Sequence, residues 1–205
     1  MKKWKVLLSS MALCVCTISP FTSHAAASPS EISQALQNSE AYMQSADGER
    51  IDLDITEVEV KQIPVPSEYR TRSNFSDIVA YKATAKTKTG TSSYKKNGIN
   101  AASSLTMTWV DGEGAKNKIT KLTGYFTVAK GKFSKGKVYW GSTYTGPTFA
   151  PHSRNVGTNF NLSVSYTSND KVAGKLRADS IGFIVSPTNG KTYQMTLRVS
   201  PTIFD

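Results

Sequence analysis

Four separate stretches of this chain alternate apolar and polar residues with period two. They are Val79-Tyr81-Ala83-Ala85, Leu105-Met107-Trp109, Phe160-Leu162-Val164-Tyr166 and Tyr193-Met195-Leu197-Val199. Successive side chains of a strand point to opposite faces, so each stretch presents one apolar and one polar face. Weaker candidates cover 119–128, 137–144 and 174–185. Turn residues separate them: Asn97-Gly98, Asp111-Gly112, Gly131 to Gly136, Asn169-Asp170 and Asn189-Gly190. This pattern predicts an all-β fold, an antiparallel β-sandwich or an open barrel. The helix–strand alternation of an α/β protein is absent.

Residues 1–27 read as a secretory signal peptide. Lys2, Lys3 and Lys5 form a positive start, Val6 to Ile18 is apolar but short for a membrane span, and Pro20 breaks it. Small residues allow cleavage after Ala25 or after Ala27. Cys14 and Cys16, the only cysteines, leave with the segment, so the mature chain is expected to hold no disulfide, thiolate metal site or cysteine nucleophile. Three lysines leave too, taking the formal charge from +10 to +7. A secreted chain of this size without cysteine points to a Gram-positive bacterium or a similar source. Pro201 to Asp205 shows no motif for covalent wall attachment, so the product is expected to be secreted, extracellular or loosely cell-wall associated.

Charge divides the remainder. Residues 28–72 carry nine acids and four bases; residues 73–205 carry six acids and eighteen bases. The expectation is an acidic N-terminal extension, helix then strand, beside a basic β-sandwich domain. Ser28-Pro29-Ser30-Glu31 is a helix-start signature, with Ile32, Ala35, Leu36 and Met43 following at roughly helical spacing and Asp47-Gly48 as the stop. Ile51-Asp52-Leu53-Asp54-Ile55 then alternates as a strand, and the frame shift before Val58 and Val60 permits a bulge. Pro64 and Pro66 end it, and 66–74 reads as a linker. The extension is expected to pack on the basic domain by charge complementarity, either completing a sheet or serving as a removable pro-segment. Residues 83–104, low in bulky groups, read as an edge strand or a mobile hairpin.

The residues exclude most catalytic chemistry. His152 is the only histidine outside the signal segment, it follows Pro151 in what reads as a loop, and no serine sits in a nucleophile elbow. Asp111-Gly112-Glu113-Gly114 is too short for a calcium loop and reads as a turn. No catalytic residue, metal site or cofactor is expected. The strongest local signal is cationic: Lys130, Lys132, Lys135 and Lys137 lie within eight residues around Phe133, read as a flexible basic tip suited to anionic polymers. Tyr139, Trp140 and Tyr144 follow as candidate platforms for a sugar ring. In a strand, Tyr139 and Trp140 face opposite sides, with Trp140 the candidate for the core.

The expected function is therefore non-catalytic binding of an anionic cell-wall polymer or polysaccharide, with a membrane surface as a further partner and nucleic acid not expected. Two alternatives remain. One is a membrane-active protein, pore-forming or antimicrobial, using 83–108 as its hairpin. The other is a polysaccharide hydrolase with paired carboxylates.

Overall fold

The computed structural model describes residues 39–63, 75–112, 118–143, 152–164 and 175–200. The signal segment, the helix-start signature, the 66–74 linker, the Asn169-Asp170 turn, Tyr144 and Tyr166 lie outside them.

The chain forms an antiparallel β-sandwich. Its strands are β1 (Ser39–Ser45), β2 (Arg50–Asp52), β3 (Asp54–Ile63), β4 (Phe75–Lys86), β5 (Asn100–Gly112), β6 (Lys118–Lys130), β7 (Lys132–Thr143), β8 (His152–Val156), β9 (Asn159–Ser163), β10 (Lys175–Val185) and β11 (Thr192–Val199). One helix, α1 (Ser92–Asn97), lies between β4 and β5. The six-stranded sheet runs β2-β1-β11-β10-β7-β8, and the five-stranded sheet runs β3-β4-β5-β6-β9.

Period-two patterning decides what fills the space between the sheets. Tyr193, Met195, Leu197 and Val199 are all fully buried on one face of β11, and Leu105, Met107 and Trp109 do the same from β5. Full burial of each such side chain contributes about 1.5–3 kcal/mol. Small residues set the spacing elsewhere: Ala83, Ala85, Ala101 and Ser103 are buried, and Ser103 meets Ser180 across the sandwich at 3.2 Å. The low bulk of 83–104 thus marks central strands packed against the facing sheet, not an edge or a mobile hairpin. Asn97-Gly98 is the end of α1, with Gly98 in the left-handed conformation, not a hairpin tip.

Three further expectations are corrected. Residues 39–45 form a strand, not the end of a helix. Ala41, Met43 and Ser45 face the core while β11 and β2 satisfy the backbone on either side. The Ile51–Ile55 strand breaks at Leu53, whose N–H donates to the Ala41 carbonyl at 3.0 Å, so β2 and β3 belong to different sheets. The anticipated bulge falls at the Ile55/Glu57 register shift. Finally, His152 opens strand β8 and is not in a loop.

Candidate functional site

Five acids of β1–β3 and their turns pair with cations elsewhere in the molecule. Glu40 meets Arg198 at 2.7 Å, Glu57 meets Lys82 at 2.8 Å and Asp54 meets Lys88 at 2.8 Å. Asp47 meets Lys191 at 2.5 Å and Glu49 meets Lys96 at 2.8 Å. Every acid whose side chain is described has a cation partner, since Asp52 takes Arg50, Glu59 takes Lys61 and Asp179 takes Arg177. Lys130, Lys132, Lys135 and Lys137 have no ion-pair partner among the described residues. Their charge is left to solvent or to a ligand.

The predicted basic tip is in fact mostly strand. Only Gly131, at φ +112°, forms the turn between β6 and β7, a conformation that favours glycine. From Lys132 onward the chain pairs with β10. Gly136 lies in that strand at a crowded point: a Cβ there would stand 3.0 Å from Val156 Cγ2 and from the Val156 carbonyl oxygen of β8, and 3.1 Å from Phe126 Cε2 of the facing sheet.

The register shift between Lys135–Phe183 and Phe133–Ile184 makes Ser134 an extra residue. A bulge of this kind re-aims the chain by one position. Lys132, opposite Val185, therefore shares a face with Lys135 and Lys137, although Lys132 and Lys135 are three positions apart in the chain. In a regular strand the two would point to opposite sides. The bulge gathers three lysines and Tyr139 on the outer face of the six-stranded sheet.

Aromatic rings lie under these charges. The Lys137 ammonium is 4.7 Å from the Tyr139 ring centroid, and that of Lys135 is 5.0 Å from Phe183 on β10. The Arg50 guanidinium of β2 lies 4.1 Å from the centroid of the Tyr42 ring on β1. Ile181, half-buried, lies opposite Lys137 and separates the Tyr42 side from the β7 side.

A row of alternating charges crosses the same face. Arg50 donates to Glu40 at 2.5 Å, Arg198 bridges Glu40 and Asp179, and Arg177 closes on Asp179 through bonds of 3.0 and 2.5 Å. Glu40, Arg198, Asp179 and Tyr139 are successive register partners across β1, β11, β10 and β7. Arginine's planar fork suits such bidentate contacts. The β1–β2 side of the face is thereby neutralised and the β7 side stays cationic.

The structure separates the other predicted residues from this face. Lys130 ends β6 in the opposite sheet, with its ammonium 5.8 Å from the Tyr94 ring centroid. Trp140 points inward, packs against the core and stacks on His152 at 5.9 Å. Sequence reading missed Tyr42, Arg50 and Phe183. Phe183 alternates with buried Ile184, a signal that was available; Tyr42 becomes visible only once 39–45 is read as a strand.

A cleft of about 170 Å³ lies beyond β2, with a floor of Met43, Leu53 and Ile99 and a polar rim that includes Lys88 and Tyr94. Among the described residues no three His, Cys, Asp or Glu side chains gather as a metal site would require. Searches of protein-family profiles, characterised proteins and solved structures found no match to this chain.

Proposed function

We propose that this protein is a secreted, non-catalytic binder that holds an anionic cell-envelope polymer on the outer face of its six-stranded sheet. The observation that carries the reading is the contrast in charge pairing. Lys82, Lys88, Lys96 and Lys191 are ion-paired with acids of residues 47–57, while Lys132, Lys135 and Lys137 are gathered on one face with no ion-pair partner among the described residues. A continuous sheet face suits an extended polymer, and unpaired ammonium groups raise the local concentration of any polyanion. Binding of this kind releases counterions and weakens as salt rises.

Co-sedimentation of the chain from Ser28 with isolated cell walls tests the reading. Binding to walls that carry their anionic polymer, lost on stripping that polymer and at high salt, is the expected result. Equal, salt-resistant binding to stripped walls would contradict it. Leakage of anionic liposomes without wall binding would favour the membrane-active alternative instead.

A further inference from the structure

Resting on that reading, we propose that the polymer is an acidic polysaccharide, one whose repeat carries both a sugar ring and an ionised group. The face is built from aromatic–cation units, not from cations alone. Lys137 with Tyr139 is one, and Lys135 with Phe183 is a second. Four residues along β7 and one strand across separate them, about 14 Å at the Cα positions. Arg50 with Tyr42 is a third, two strands and one residue pair from Phe183, about 12 Å away.

Each part of a unit answers a different part of such a ligand. The ring offers a flat apolar surface to the C–H face of a pyranose. The ammonium is a mobile point charge on a flexible stem. At an exposed site its hold on the ring is weak, so an anion can draw it aside and leave the ring face to the sugar. In the third unit Arg50 is already compensated by Glu40 at 2.5 Å and by Asp52 at 3.3 Å, so Tyr42 suits an uncharged sugar of the same chain. Gln194, half-buried on β11 between the units, can bond a sugar hydroxyl. Rings about 12–14 Å apart are too far for one sugar to touch two of them, so an oligosaccharide must span them. A polyanion without rings would engage only the ammonium groups, and a neutral glycan only the aromatics.

Calorimetric titration at one ionic strength separates these cases. The probes are a hyaluronate hexasaccharide, chitohexaose as its neutral counterpart, and polyphosphate of matched charge. The hexasaccharide should bind at least about tenfold tighter than either of the others. Tyr139→Leu and Phe183→Leu, which keep apolar cover but remove the ring, should each weaken it by about tenfold and leave polyphosphate within about twofold. Polyphosphate binding as tight as the hexasaccharide, with both leucine variants unaffected, would overturn the glycan inference and leave polyanion binding standing. Chitohexaose binding as tightly as hyaluronate would overturn the requirement for an acidic group. Failure of both anionic probes to bind would overturn the inference and the polymer reading together.

Discussion

Gly136 and Gly182 face each other across β7 and β10, and the ring of Phe126 from the opposite sheet rests against both. A Cβ at Gly182 would stand 2.7 Å from Phe126 Cδ1, against a ring already packed on Phe133 at 5.4 Å and Phe160 at 6.1 Å. This notch seats the strand that carries Lys135 and Lys137 close to the core. Gly182→Ala forces the ring or the strand to move, and overpacking of this type costs about 1–3 kcal/mol. Urea denaturation should show that loss. An unchanged midpoint would mean that the ring shifts freely.

Asp179 is buried between two guanidinium groups. Asp179→Asn leaves Arg177 and Arg198 facing each other with Glu40 as the remaining acid in the row. Removing one partner of a fully buried pair costs about 3–5 kcal/mol, and the part-exposed arginines reduce that here to about 1–3 kcal/mol. The variant's thermal midpoint should fall, while Asp52→Asn, at an exposed carboxylate beside Arg50 and outside the row, should leave it unmoved.

Asp47 gives a pH-dependent contribution whose sign is fixed. Its hydrogen bond from Lys191, and next the one from Ser45, hold its pKa at about 2, below the ordinary 3.8. The folded value is the lower one, so the stabilisation is present above pH 3.8 and is lost as pH falls toward 2. Carboxyl NMR titration should place the midpoint near 2, and Lys191→Ala should return it toward 3.8. A midpoint near 3.8 in the wild-type chain would show that the Asp47–Lys191 contact does not persist in solution.

Residues 39–63 supply β1, β2 and β3, and β1 lies between β2 and β11. A chain starting at Ser73 would expose the β1-facing edge of β11 and the Tyr81 hydroxyl, which lies 2.6 Å from Ser39 Oγ. We expect it to lack a cooperative melting transition. A sharp transition from that fragment would support removal of the acidic segment as a pro-segment.

Patterned, strongly apolar strands were legible in the sequence. The alternation at Tyr193 to Val199 maps residue for residue onto the buried face of β11. Tyr139 and Trp140 do face opposite ways. Less legible were segments whose local chemistry conflicts with their place in the fold. Met43 with Leu36 and Ala35 mimics a helical stripe, yet Ala41, Met43 and Ser45 are inward at period two. Gly136 and the lysines around it resemble a loop because glycine and lysine are poor strand formers, and the glycine is explained only by distant residues, Val156 of β8 and Phe126 of the facing sheet. The charge row could not be read at all, since it joins residues 40, 50, 177, 179 and 198 through strand order alone.

If unpaired lysines hold the ligand, position matters and net charge does not. The salt dependence of wall binding measures this for two variants of equal charge, Lys135→Gln/Lys137→Gln and Lys88→Gln/Lys191→Gln. The first pair should weaken binding and reduce the slope of log affinity against log salt by roughly one to two. The second pair, drawn from lysines already bonded to Asp54 and Asp47, should leave the slope near that of the wild type. Equal losses in both variants would contradict the account.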